Sequence, residues 1–317
     1  ENHTNPEDIM RDADIAMYQA KRAGKARHEI FDRNMHDAVK ETLQIETDLR
    51  RAVEKQEFTV QFQPIYSLET EQIEGFEALA RWQHPTLGTV SPDKFIPLAE
   101  EIGIIDALGE QILRQACEQG QRLHKLFPEA TPFIISVNFS CKQFTGIRII
   151  ETVKRILEET KFNPKYLRFE ITETVFMENT EIAIETLARF REIGIEINID
   201  DFGTGYSNLH YLTQLPISTL KIDRSFIRPL ETQGQNVEIV QTILMLAQTL
   251  GMRVIAEGVE TALQLEKLKA LNCQGAQGFY FAKPMTFDEV VEFLEEKYRK
   301  FPPPLPLEDI SIVSTLQ

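Results

Sequence analysis

From about residue 58 onward, short apolar runs alternate with longer stretches in which apolar residues recur every three or four positions, the signatures of strands and amphipathic helices. The strand candidates are Phe58–Phe62, Ile73–Leu79, Phe133–Phe139, Leu167–Ile171, Glu196–Asp200, Thr219–Ile222, Val254–Ala256 and Gly278–Phe281. Helical patterns over Ala107–Lys125, Ile147–Thr160, Glu181–Ile193, Val237–Leu250 and Ala262–Leu271 fall between most of them. Strands alternating with helices at this spacing make a parallel sheet of the α/β class, and eight of them predict a closed (β/α)8 barrel of the TIM type. The first two strands are separated by only about ten residues without a helix, so they should pair as a hairpin. The expectation is therefore a barrel with one antiparallel strand.

Ahead of the barrel, Asp8–Arg22 carries an apolar stripe of Ile9, Ala13, Ile15, Ala16, Met17 and Ala20 that Gly24 ends. A short strand is expected at His28–Phe31. One helix and one strand cannot make a core, so residues 1–34 read as the tail end of a domain whose body lies outside this chain. In Met35–Glu54, Ala38, Leu43, Ile45, Leu49 and Val53 recur amid dense charge, which predicts a long amphipathic helix over 35–55 that is linker and domain start in one. A solvated helix doing mechanical work and a signalling helix both fit that pattern. The barrel is expected over 56–300. Pro302, Pro303, Pro304 and Pro306 stop the last helix, leaving 301–317 as a tail packed outside or disordered.

The chemistry gathers around Ile197-Asn198-Ile199-Asp200-Asp201-Phe202-Gly203-Thr204-Gly205. An alternating strand delivers two adjacent carboxylates and then meets a Gly-Thr-Gly turn. Neighbouring side chains on a strand face opposite ways, so both acids serve one centre only if the strand ends at Asp201 and the backbone turns there. The glycines permit such a turn. Divalent metal binding and an Asp helix cap beside a solvated acid are both compatible with the pair alone. The other strand ends extend the pattern: Glu77, Asn138, Glu170, Lys221 with Asp223, and Glu257 each close a strand, and Gln277 opens the last. In a barrel these C-terminal ends converge on the face where active sites sit. A ring of carboxylates with an Asn amide is an all-oxygen donor set, suited to Mg²⁺ or Mn²⁺ rather than Zn²⁺. Asp200 and Asp201 could bridge two metals about 3.5–4 Å apart, the arrangement for in-line displacement at phosphorus. Lys221 among carboxylates then orients or polarises the attacking water, or forms a structural ion pair.

Charge narrows the partners. With 34 Lys+Arg against 49 Asp+Glu the formal net charge is -15, which disfavours duplex nucleic acid and anionic membranes but not a small anion held at a local metal site. Cys117, Cys141 and Cys273 are widely spaced and lack a metal-ligand pattern, as expected of reduced thiols in a cytoplasmic compartment. No apolar run reaches the roughly 18 residues a membrane span needs, and Glu1-Asn2-His3-Thr4 does not read as a signal peptide. A membrane or sensor part is expected only outside this chain. His84 and His210 are lone histidines, expected on the surface or in packing.

Specific blocks carry a resemblance. Glu77-Ala78-Leu79-Ala80-Arg81 resembles the signature of the EAL-domain cyclic di-GMP phosphodiesterases. Further blocks follow in that family's order: Gln63-Pro64-Ile65, Val137-Asn138-Phe139-Ser140, Glu170-Ile171-Thr172-Glu173, the Asp200-Asp201 stretch, Leu220-Lys221-Ile222-Asp223, Ala256-Glu257-Gly258-Val259-Glu260, and Gln277-Gly278-Phe279-Tyr280-Phe281-Ala282-Lys283-Pro284. The match covers roughly residues 40–298. Asp12-Ala13-Asp14-Ile15-Ala16-Met17-Tyr18 similarly resembles the last helix of a GGDEF domain, without the loop that names it, so no cyclase activity is expected here.

The resemblance implies metal-dependent hydrolysis of cyclic di-GMP to linear pGpG in bacterial signalling. It implies Glu77, Asn138, Glu170 and Asp200 on one metal, and Asp200 with Asp201 on a second. Lys221, Glu257 and Asp201 would be catalytic. Gln63, Leu79, Arg81, Asp223, Gln277 and Pro284 would contact substrate, and Glu173 would brace the loop after the acid pair. It also implies inhibition by Ca²⁺, a homodimer through the region Tyr206–Leu212, and upstream GGDEF and sensor domains beyond this chain. Phe139, Phe279 and Asn208 depart mildly from the family's usual residues and remove no ligand. A receptor that binds cyclic di-GMP without cleaving it is the alternative reading.

Overall fold

The computed structural model describes residues 6–22, 28, 30–143, 147–173, 180–204, 212–213, 215–231 and 235–300. Two compact units emerge, one from Glu1–Glu57 with Trp82–Ile104, the other from Phe58–Arg81 with Ile105–Gln317.

In the first unit, α1 (Pro6–Arg22) packs on α2 (Arg33–Glu54). Ile45, Leu49 and Ala52, at helical spacing, are buried along α2. The expected strand at His28–Phe31 does not form: His28, Ile30 and Phe31 are irregular, and Glu29 lies outside the described residues. A strand exists only by pairing, and no described strand pairs with this segment. Two elements went unexpected, β3 (Gly88–Val90) and α3 (Pro92–Glu101). The first is too short for an alternation to show. The second carries Pro92 and Pro97, which read as breakers although Pro92 stands at the helix start, where its missing N–H costs nothing. Trp82 is fully buried edge-on to Phe95, their ring centroids 6.0 Å apart, and its indole donates to Glu57 at 3.3 Å. His84 is a packing residue: buried, with Nε2 2.9 Å from Asp48 and Nδ1 accepting the backbone N–H groups of Thr86 and Leu87.

The second unit is the barrel. Its strands are β1 (Phe58–Ser67), β2 (Ile73–His84, whose last residues belong to the first unit), β4 (Ile134–Asn138), β5 (Leu167–Thr172), β6 (Glu196–Phe202), β7 (Ile217–Ile222), β8 (Arg253–Ala256) and β9 (Gly275–Ala276). The order β1-β9-β8-β7-β6-β5-β4-β2, closed by pairing of β1 with β2, makes eight strands a ring, with β3 added antiparallel at the end of β2. Strands β2 and β4–β9 run parallel, and β1 pairs antiparallel with β9, so the reversed strand is the first. Among the described residues, its α-helices are α4 (Ile105–Leu126), α5 (Ile147–Thr160), α6 (Thr180–Ile193), α7 (Arg224–Ile227), α8 (Gln235–Thr249), α9 (Ala262–Ala270) and α10 (Phe287–Lys300). Each of the longer ones turns an apolar stripe inward, as with Ile112, Ala116 and Leu123 of α4 or Ala183, Leu187 and Phe190 of α6.

The last strand is displaced from its expected place. Gly278–Phe281 is a turn, tied by Tyr280 N to Val259 O and Phe281 N to Gly278 O, and the strand is Gly275–Ala276. The aromatic run imitates a buried strand, yet Phe279 is 56% exposed. Gln277 therefore follows the last strand instead of opening it, at the same end as the other strand-closing residues. Tyr206–Tyr211 of the expected dimer helix, His210 and the tail 301–317 lie outside the described residues.

Candidate active site

Lys221, near the end of β7, is the centre of the site. Its side chain is 0% exposed, and Nζ stands 2.6 Å from Glu257, 2.7 Å from Glu170, 3.3 Å from Asp200 and 3.5 Å from Glu77. The residues come from strands β2, β5, β6 and β7 and the segment after β8, so the barrel's closure makes neighbours of acids up to about 180 positions apart. Burial alone would lower the Lys221 pKa. The carboxylates of Asp200, Glu170, Glu257 and Glu77 outweigh it and hold the ammonium well above its ordinary value.

The acids respond differently. Burial pushes Glu170 up to about 8, against the pull of Lys221 and with the repulsion of Glu77 and Asp200. Burial also raises Glu257 well above the usual carboxylate range. Glu77 is driven up by burial too, but Lys221 and hydrogen bonds from Gln277 and Asn138 carry it below its ordinary value. Its Oε1 accepts Asn138 Nδ2 at 2.6 Å, and its Oε2 accepts Gln277 Nε2 at 2.6 Å.

The acid pair does converge. Asp201 adopts φ 53, the left-handed region that Asp tolerates better than most residues, and Gly203 follows at φ 95. The ladder between β6 and β7 is irregular between Ile199 and Phe202. This turn brings carboxylate oxygens of Asp200, Asp201 and Glu257 within 4.8 Å of one another; oxygens of Glu77, Glu170 and Asp200 form a second such group. Burial and then Asp200 raise Asp201 to about 6. Asp200 Oδ1 is buried and makes no hydrogen bond, although the ammonium is near. An unpaired buried oxygen inside a cluster of repelling acids fits a divalent cation. Glu173 Oε1 accepts the Gly203 N–H at 3.4 Å, beside the turn.

Around this centre, Gln63 and Gln277 are buried and bonded to each other at 3.0 Å, with Gln63 reaching Ala282 O. Gln277 links the pair to Glu77, to which its Nε2 also donates at 2.6 Å. Leu79 and Arg81 share Glu77's face of β2 by the strand period. Burial lowers the Arg81 pKa against the influence of Glu77, and its guanidinium is held by Gln61 at 2.8 Å, a partner the sequence did not single out. Asp223 caps α7 by accepting Ser225 N at 3.0 Å. Pro284 precedes Met285, whose backbone bonds Phe62 in both directions.

A family model described as "EAL domain" matches residues 46–284, most of the chain. The chain belongs to the EAL family. Among curated relatives, "Cyclic di-GMP phosphodiesterase NbdA" of Pseudomonas aeruginosa is 37% identical over 299 residues, covering 94% of this EAL chain and 38% of NbdA. "Bifunctional diguanylate cyclase/cyclic di-GMP phosphodiesterase MucR" of the same organism is 38% identical over 284 residues, covering 90% and 41%. The chain thus spans about two fifths of the length of these relatives. Among solved structures, "PaMucR Phosphodiesterase, c-di-GMP complex" superposes with a TM-score of 0.73 at 38% identity, covering 78% of this chain and 99% of that one. Of the described helices, none is long and apolar enough to cross a membrane.

Proposed function

We propose that this EAL domain hydrolyses one phosphodiester bond of cyclic di-GMP to give linear pGpG, with Mg²⁺ or Mn²⁺ as cofactor. The observation that carries the reading is one buried Lys221 surrounded by an excess of carboxylates toward the C-terminal ends of the strands. Charge supports two ions. With Glu77, Glu170, Asp200, Asp201 and Glu257 all ionised beside the Lys221 ammonium, four negative charges stand in excess, which two divalent cations would neutralise; without them, burial holds Glu170 and Glu257 toward the protonated form.

Glu77, Asn138, Glu170 and Asp200 would hold one ion, and Asp200 with Asp201 the other. Asn138 spends its Nδ2 on Glu77, which leaves its carbonyl oxygen as a donor. When bound, the ions supply Lewis acidity at the phosphoryl oxygens and acidify the attacking water. Lys221 is too firmly protonated to act as a base; its ammonium orients the water and offsets charge that develops on phosphorus. Glu257, basic because burial raises its pKa and ionised once the site is loaded, would accept the water proton as the water oxygen bonds phosphorus and the P–O bond to the ribose oxygen breaks, that oxygen taking up a proton from solvent to leave as a hydroxyl. Arg81, Leu79, Asp223, Gln63, Gln277 and Pro284 would line the nucleotide, and Glu173 would brace the turn after Asp201.

The same reading takes residues 1–34 as the end of a GGDEF-like domain, 35–55 as linker and 56–300 as the phosphodiesterase barrel, followed by the 301–317 tail. It places the chain in the cytoplasm as a homodimer below upstream regulatory domains. The test is incubation with cyclic di-GMP and Mg²⁺ or Mn²⁺, following pGpG by chromatography. Cleavage that stops on chelation is expected; binding without cleavage overturns the enzyme in favour of a receptor.

A further inference from the structure

The barrel interior below the carboxylates is polar. Bulky aliphatic residues dominate the inner layers of barrels of this type, yet here Ser136, Asn198 and Thr219 are 1%, 2% and 6% exposed. Strand periodicity explains their placement: each stands two residues before a site residue, namely Asn138, Asp200 and Lys221, and so points inward one layer down. These three side chains border a cavity of about 60 Å³. That space exceeds the roughly 10–15 Å³ needed to admit a water.

Asn198 joins this cavity to the site. Its Nδ2 donates to Glu170 Oε1 at 3.5 Å, while Glu170 Oε2 takes Lys221 at 2.7 Å. Asn198 Oδ1 is buried and bonded to no protein atom. A buried amide oxygen on the wall of a polar cavity wide enough for water is where ordered water is retained. Packing alone does not call for an amide here, because leucine has nearly the same shape.

We propose that Asn198 is a positioning residue for Glu170, held in its rotamer by water retained in the cavity. The proposal rests on the metal reading above. Lys221 and Asn198 claim the two oxygens of Glu170 separately, so the carboxylate keeps one orientation toward the ion. Residues that orient a metal ligand from behind commonly change affinity ten- to a hundredfold when replaced.

The experiment titrates Mn²⁺ into the parent, Asn198→Leu and Asn198→Ser, following free Mn²⁺ by electron paramagnetic resonance, with thermal melts of the chelated proteins alongside. Asn198→Leu should lose ten- to a hundredfold in affinity. Asn198→Ser, which keeps a hydroxyl and admits a further water, should return to within a few-fold of the parent. Leu and Ser variants that both bind like the parent overturn the proposal, as do losses that follow melting temperature and not the polar group. If Asn198→Leu does not fold, Asn198→Ala is read against Asn198→Ser by the same criterion. A parent that binds no Mn²⁺ instead sinks the metal reading itself.

Discussion

Replacing Lys221 by methionine keeps an unbranched chain of similar length and removes the charge. Four carboxylates now 2.6–3.5 Å from Nζ lose their counter-ion in a site where the side chain is wholly buried. Removing one partner of a buried pair costs about 3–5 kcal/mol. In the chelated protein that loss is partly recovered by protonation of the acids, whose pKa values rise further. With metal bound, the cations supply the missing positive charge, so metal affinity should stay equal or tighten. Turnover should fall by about 10²–10³, the usual cost of removing one preorganised donor that stabilises developing charge. The assay pairs steady-state pGpG formation with Mn²⁺ titration of Lys221→Met. Turnover within about threefold of the parent would remove Lys221 from the chemistry. A turnover loss matched by an equal loss of metal affinity would mean that Lys221 merely assembles the ligands.

Glu77→Ala should weaken Mn²⁺ binding at least tenfold, taking from Asn138 its Glu77 acceptor and leaving Gln277 with only Gln63, which calorimetry would read; an unchanged isotherm excludes Glu77 as a ligand. Ca²⁺ in place of Mg²⁺ should support cyclic di-GMP binding but suppress pGpG formation, because Ca²⁺ accepts looser and higher coordination, and full activity in Ca²⁺ counts against a tight two-ion geometry. For pH, Glu170 has a folded pKa of about 8, above its ordinary value, so the stability it contributes is whole at low pH and is lost as pH rises through about 8. Melting of the chelated protein should therefore fall from pH 5 to 9, and Mn²⁺ should flatten the curve; a flat curve under chelation refutes the shift.

Much of the barrel was legible because its strands carry buried aliphatic runs and its helices a clean stripe, so only ends moved. What failed was a segment whose conformation depends on distant partners. The run Gly278-Phe279-Tyr280-Phe281 has strand composition, but the backbone of Gly278 lies so close to Val259 that a Cβ would sit 2.1 Å from its carbonyl oxygen. That contact, invisible in the local pattern, makes it a turn. In the site, Glu77, Glu170, Asp200, Asp201, Lys221 and Glu257 stand out in the sequence because each is expected near the C-terminal end of a strand, and the structure brings them together, although β2 itself runs on past Glu77 to His84. Asn198 was passed over although the alternation Ile197-Asn198-Ile199-Asp200 already put it on the face of Asp200. Gln61 was missed because its role depends on pairing across the hairpin to Arg81.

The reversal of β1 changes which end of the barrel the chain is threaded from. Were β1 parallel to its neighbours, the polypeptide would arrive at the floor, opposite the carboxylates. Running backwards, it starts at Phe58 on the upper rim and descends past Gln63 to Ser67. The covalent lead-in is thus on the reacting side, directly after helix α2.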